Sequence, residues 1–217
     1  MKGLLIKDFK LLKGQKNFFM TITAISIIMI IVSPGTSFPI GFLGFVGALF
    51  SLSSISYDEF DNGNAFLFSL PITRKDYVLE KYIFGLISGI MFLLLGTVIS
   101  LVVIGITKTG SFNEIFLTAG SLFPTILLIL SIMLPLILKF GGEKGRIAII
   151  GVMGFIFVIG LLLIKTTEYL GIDLYVLINK LPKFEPLVYI ILFLLFSVVI
   201  LGISYLISLT ILKKKEF

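Results

Sequence analysis

A chain of 217 residues that is 58% hydrophobic and only 14% charged carries more apolar surface than one soluble core can bury, which excludes a water-soluble globular domain. The net charge of +6 reads as membrane topology and attraction to anionic lipid, and argues against a nucleic-acid partner. With no Cys and no His, disulfides, thiolate metal sites and the commonest metal ligand and general base are all absent.

Crossing the ~30 Å hydrocarbon layer as a helix takes about 20 mostly apolar residues. Uncharged runs near that length recur six times, at about 18–33, 38–56, 82–106, 115–138, 147–164 and 187–212. Internal Gly and Pro are ordinary in such spans. A transmembrane β-barrel would show dyad alternation in segments of about 10 residues, and none is present. The expected fold is therefore an all-α membrane protein, one transmembrane domain over 1–217 with six transmembrane helices.

Before the first span, residues 1–17 form an amphipathic arm. Leu5, Phe9 and Leu12 recur at helical spacing while Lys7, Lys10 and Gln15 can face water, so the arm is expected to lie along the inner membrane face, as a topogenic segment or as a lever that also touches a cytosolic partner. The first span has the basic flank of a signal peptide but lacks a small-residue cleavage site, and is expected to remain as helix 1. In the second span Gly41, Gly44 and Gly47 mark a face for close helix packing, within the chain or against a second copy.

The stretch 57–81 is the one long polar break. Asp58, Glu59 and Asp61 lead, Asn62-Gly63-Asn64 supplies turn chemistry, and Ala65 to Leu70 brings apolar side chains to the same side. Pro71 ends that element, because the residue before a proline is pushed from helical geometry. Thr73 is the expected N-cap of a new helix, with Asp76 at N3 of an imperfect capping box and Ile72 and Tyr77 placed for a hydrophobic staple. That helix is expected to run through Lys81 into span 3, so that a push on the corner travels into the bilayer.

Pro124 and Pro135 in the fourth span predict a hinge or a static kink. Gly151, Gly154 and Gly160 in the fifth invite the same two readings as Gly41 to Gly47. Residues 165–186, with Leu170, Leu174, Leu177 and Leu181 on one face, are expected to form an external interfacial segment or a packed loop helix. Basic residues sort by side. Fourteen of the 18, in the N-terminal arm, the 57–81 loop, the Lys139 to Arg146 loop and the tail, share one side, and only Lys108, Lys165, Lys180 and Lys183 fall on the other. The positive-inside rule then places both termini in the cytosol.

Acids after span 2, then Leu70-Pro71-Ile72-Thr73-Arg74, Val78 and Lys81-Tyr82 at the start of span 3, resemble the permease subunits of ABC-2 type transporters (type V exporter-like), in particular the small six-span permeases of the phenol-soluble modulin exporter. The resemblance implies a cytosolic coupling helix between spans 2 and 3, with the ATPase-coupling role on Glu59, Phe66, Leu67, Leu70, Pro71, Ile72, Thr73, Arg74 and Lys75. It implies two cytosolic ABC ATPase subunits that bind the ATP and Mg, and a second copy or a homologous permease in contact through faces such as Gly41, Gly44, Gly47, Gly151 and Gly154. It also implies an exporter of membrane-active or antimicrobial peptides in a bacterial cell membrane. No phosphate-binding loop occurs in the sequence, so no ATPase and no cofactor site is expected in this chain. No ionisable residue stands in the middle of a span, which lowers the alternative of an ion-driven secondary transporter. A non-transporting sensor or immunity protein is the remaining alternative, and an intramembrane enzyme lacks the acid-base set it would need.

Overall fold

The computed structural model describes residues 1–32, 37–60, 63–108, 111–169 and 184–215, which form eight helices and no strand. They are α1 (Lys2–Gly14), α2 (Lys16–Val32), α3 (Ser37–Glu59), α4 (Gly63–Ser69), α5 (Arg74–Thr107), α6 (Phe112–Phe140), α7 (Gly142–Tyr169) and α8 (Pro186–Lys214). Helix is the economical solution for such a sequence, since in lipid every backbone N–H and C=O must be satisfied within the segment.

Five helices, α3, α5, α6, α7 and α8, are long and apolar enough to cross a membrane. The first apolar run differs from the six-span expectation. It becomes the 17-residue α2, which rises only about 25 Å at 1.5 Å per residue, short of the ~30 Å layer. The arm and α2 are separate helices because the ladder breaks at Gln15, whose N–H is shared between the Leu11 and Leu12 carbonyls. One other boundary moves: the second span stays helical through Tyr57 and Asp58 to Glu59. The third begins at Arg74, directly after the expected Thr73 N-cap, so its 34 residues reach roughly 50 Å and project beyond the hydrocarbon. Of the expected external segment, 165–169 continue α7 and Pro186 opens α8. The remainder, with Leu170, Leu174, Leu177 and Leu181, lies outside the described residues, as do Ser33 to Gly35, Asp61 and Asn62.

The centre is the α3–α5 pair, where glycines on both helices remove the side chains that would hold the backbones apart. A Cβ on Gly47 would meet Phe92 Cβ at 2.7 Å and the Ser88 carbonyl at 2.8 Å, and one on Gly96 would meet the Pro39 carbonyl at 2.6 Å. Gly44 lies against Leu93 and Ile126, and Gly41 against Leu122, so these faces pack within the chain. Leu127, Leu130, Leu134, Ile137 and Leu138 of α6 then close one side of the core. Phe19 of α2 seals the other, stacked on Phe92 with ring centroids 4.5 Å apart. α7 behaves otherwise. Among the described residues its apolar stretch buries nothing, and Gly151, Gly154 and Gly160 have no neighbour within 4 Å.

Both prolines sit inside an unbroken α6. Pro135 lacks the N–H that would have bonded the Ser131 carbonyl four residues back. That carbonyl instead accepts from Ser204 Oγ of α8 at 2.6 Å, the repair that lipid demands of a freed backbone group. Since the one proton of Ser204 is used there, Tyr82 OH donates to Ser204 Oγ, 2.6 Å away, and accepts from Ser208 Oγ at 2.8 Å. Replacing Ser204 with Ala should destabilise the bundle by about 1 kcal/mol. In a Pro135→Ala background, where the Ser131 carbonyl regains its helical donor, the same change should cost measurably less, and thermal melts of the four variants read the difference.

At one end, which we call the basal end, α1, the C-terminus of α3, the N-terminus of α5, the α6–α7 junction and the C-terminus of α8 come together. The four basic clusters singled out in the sequence therefore meet in space.

Candidate functional site

The corner between α3 and α5 lies at the basal end, where Arg74 opens α5 against the last turn of α8. α4 spends its aromatic residues in two directions. Leu67 is buried at 8% exposure and Phe68 packs edge-on to Tyr77 with centroids 5.5 Å apart, whereas Phe66 points outward at 71% exposure. Adjacent helical residues diverge by about 100°, so Phe66 and Leu67 cannot share one contact surface. Beyond α4, the Ile72 N–H bonds the Leu70 carbonyl at 2.6 Å, closing a three-residue turn around Pro71. Thr73 has the extended backbone of an N-cap, and its hydroxyl accepts from the Asp76 N–H at 3.1 Å. The Asp76 carboxylate takes the Thr73 hydroxyl proton at 2.6 Å, its shorter side chain answering the hydroxyl instead of the cap's backbone. Leu70, Pro71, Thr73 and Lys75 stay exposed beside Phe66, so the corner presents an apolar edge next to a cation.

Behind the corner lies a buried ion network that ties α1, α3 and α5. The Lys81 ammonium, fully buried, meets Asp8 Oδ2 at 2.6 Å, Ser54 Oγ at 2.6 Å and Asp58 Oδ2 at 2.7 Å, one acceptor for each of its three protons. Ser54 donates to Asp8 and Tyr77 OH to Asp58. Lys7 closes the ring on Asp58 and stands 3.2 Å from Asp8, giving two carboxylates and two ammonium groups. Burial pushes the Asp8 carboxyl up, but the Lys81 charge, the bonds from Lys81 and Ser54, and Lys7 outweigh it and hold it below its ordinary 3.8. Its stabilising contribution is complete above that ordinary value and is lost only as the pH falls through the lower, folded one. Glu80 is the odd member: it is buried, 3.5 Å from the Lys81 ammonium, and among the described residues neither carboxyl oxygen accepts a hydrogen bond.

Two residues that the sequence assigned to the coupling surface are committed inside the chain. Glu59 accepts from the Gly142 N–H at the start of α7 and pairs with Lys215 at 3.0 Å, while Lys215 also donates to the Leu138 carbonyl. Gly141, at φ 84°, makes the α6–α7 turn there, and a Cβ on it would come within 3.0 Å of Glu59. Arg74 Nη1 donates to the Leu212 and Lys213 carbonyls at 3.0 and 2.5 Å, capping the last turn of α8. Arg74→Met should therefore lower stability by about 1.5–3 kcal/mol, the range of charge-assisted bonds, and expose the α8 C-terminus to faster amide exchange.

The surface that remains on the corner is Phe66, Leu70, Pro71, Thr73 and Lys75, with Ile72 half-buried and Leu67 inside. Sequence reasoning missed Asp8, Ser54, Tyr77, Glu80 and Lys81 as a group, and read Asp58 only as loop acidity and Lys7 as solvent-facing. The signals were there in two places. Asp8 stands one helical turn from buried Leu4 inside an apolar stripe, and Lys81 stands between buried Val78 and Tyr82.

A family model described as ABC-2 family transporter protein matches residues 3–213. No curated protein and no solved structure matches the chain.

Proposed function

The chain belongs to the ABC-2 transporter family, whose members are multi-pass membrane subunits that associate with an ABC ATPase, and on that premise we propose that it is the permease of an ATP-driven exporter of amphipathic or hydrophobic cargo. The observation that carries this reading is the corner: an exposed apolar edge at Phe66, Leu70 and Pro71, locked through Leu67, Phe68 and the Thr73 cap to a helix that crosses the bilayer without a break. An ATPase surface that moves the edge moves α5, and the Lys81 network carries the same motion to α3 and α1. Two ATPase copies would bind the ATP and Mg, and a second permease would complete the translocation path. Its place would be a bacterial cell membrane with the basal end and both termini cytosolic, the side that positive charge prefers. Membrane-active or antimicrobial peptides are the cargo favoured by the resemblance of the Leu70 to Tyr82 segment to the peptide-exporting permeases.

The test is purification of the tagged chain from its host in mild detergent. A roughly stoichiometric partner with a phosphate-binding loop, and ATP-dependent peptide export by vesicles containing the pair, would support the proposal. Recovery of the intact chain alone, with no such partner, would overturn it.

A further inference from the structure

A second feature of the basal end owes nothing to the corner. A cavity of about 680 Å³ opens between α2, α3 and the first turns of α7, within the range of sites that hold small molecules. Its apolar side is Phe18 and Phe50, and its polar side includes Ser53, Tyr57, Glu143 and Arg146. The polar groups of the α7 wall are uncommitted: neither Glu143 nor Arg146 makes an ion pair or hydrogen bond among the described residues, although three residues apart on one helix they are neighbours.

Depth orders these groups. α7 starts at the basal end with Gly142, so Glu143 lies outermost and Arg146 about 4.5 Å further toward the membrane. Phe50 lies deeper again, nine residues or about 13 Å along α3 from its last residue, Glu59. Beyond Arg146, α7 offers exposed Ile147 and Ile150. From the basal end inward, the cavity lining therefore passes from the anion at Glu143 to the cation at Arg146 and on to the apolar ring of Phe50. Its complement is a molecule with an ammonium at its tip, an anion behind it and a hydrocarbon body behind that.

We propose that this cavity binds a zwitterionic aminophospholipid of the adjoining leaflet, with its phosphate on Arg146, its primary ammonium on Glu143 and an acyl chain along Phe18 and Phe50. The ethanolamine link has about the reach of the one-turn offset between the two side chains. Arg146 suits the phosphate because its fork donates two bonds at once. Glu143 discriminates. It repels a headgroup of net negative charge, and it gains no hydrogen bond from a quaternary choline, which has no N–H. The hydroxyl of Ser53, which has no partner among the described residues, is available to the ester oxygens. This assignment holds whether or not the chain couples to an ATPase.

The experiment is native mass spectrometry of the full chain released from detergent micelles, titrated separately with dioleoyl phosphatidylethanolamine, phosphatidylcholine and phosphatidylglycerol. The expected result is retention of phosphatidylethanolamine with about tenfold higher apparent affinity than the other two, equivalent to ~1.4 kcal/mol. Glu143→Gln should reduce that preference to the phosphatidylcholine level, and Arg146→Gln should weaken all three lipids. Both side chains are exposed, so a thermal melt matching that of the unaltered chain establishes that each variant is folded. Equal retention of the three lipids, or a preference that survives both substitutions, would overturn the assignment. Displacement of phosphatidylethanolamine by a synthetic Lys/Leu amphipathic peptide at equal concentration would overturn it too, and would reassign the cavity to a peptide.

Discussion

Replacing Lys81 with Met is expected to destabilise the folded chain by about 3–5 kcal/mol, the cost of leaving buried charges without their partner. Methionine nearly matches the lysine in length, so the loss is electrostatic. Asp8 and Asp58 would face one another across the vacated ammonium position, and Lys7, which is partly exposed, would be left to serve both. In detergent the melting temperature should fall by roughly 10 °C. Adding Asp8→Asn should recover a large part of this, since one carboxylate and one lysine then remain opposite each other. A Lys81→Met chain that melts with the unaltered protein would mean that water reaches the site and that the network adds little. The same change should loosen α1, because Asp8 is its polar anchor to α3 and α5, and proteolysis of the arm offers an independent readout.

Changing Phe66 to Asp should weaken association with the ATPase by more than about 30-fold, since a central aromatic anchor typically contributes 2 kcal/mol or more to an interface. The melting curve should not move, because the Phe66 ring is largely exposed and takes no part in the core. Leu67→Asp is the contrasting control. It inserts a carboxylate into the buried core cluster without a counter-charge, so the chain itself should fail before any partner is met. The sequence alone would have suggested altering the two residues together, and that double variant would confuse a lost contact with a lost fold. Full recovery of the ATPase by a folded Phe66→Asp chain would remove the corner from the coupling surface.

Much of the corner was legible from local rules. The N-cap at Thr73, its reply from Asp76 and the break at Pro71 depend on residues at most a few positions apart, and the structure places each where the spacing predicts. The glycines of α3 announced close packing just as clearly, but not the partner. That α5 fills this role for Gly47 and Gly44, through Ser88, Phe92 and Leu93, and α6 for Gly44 and Gly41, through Ile126 and Leu122, is a fact about helices whose order in space the sequence does not print. Gly151 and Gly154 carry the same signature and meet nothing within 4 Å among the described residues. Small residues permit an approach without specifying one.

By itself, the sequence determined that this is a helical membrane protein with its positive charge gathered at one end. The hydrocarbon layer imposes length, apolarity and internal hydrogen bonding on each segment separately, so those features are written in each segment. Only the tertiary structure decided which charges are tools for a partner and which are fastenings within the chain. Arg74 and Glu59 look as free as Lys75 in the sequence, yet Arg74 caps α8 and Glu59 anchors α7 and the tail. Lys7 and Asp8, Asp58 and Lys81 come from three separate helices, and the two carboxylates and two ammonium groups become one charge-balanced unit only when packed together. The physical reason is range. Helix formation and capping are settled over a few residues, whereas desolvated charges are settled by whatever the fold brings within 3 Å of them.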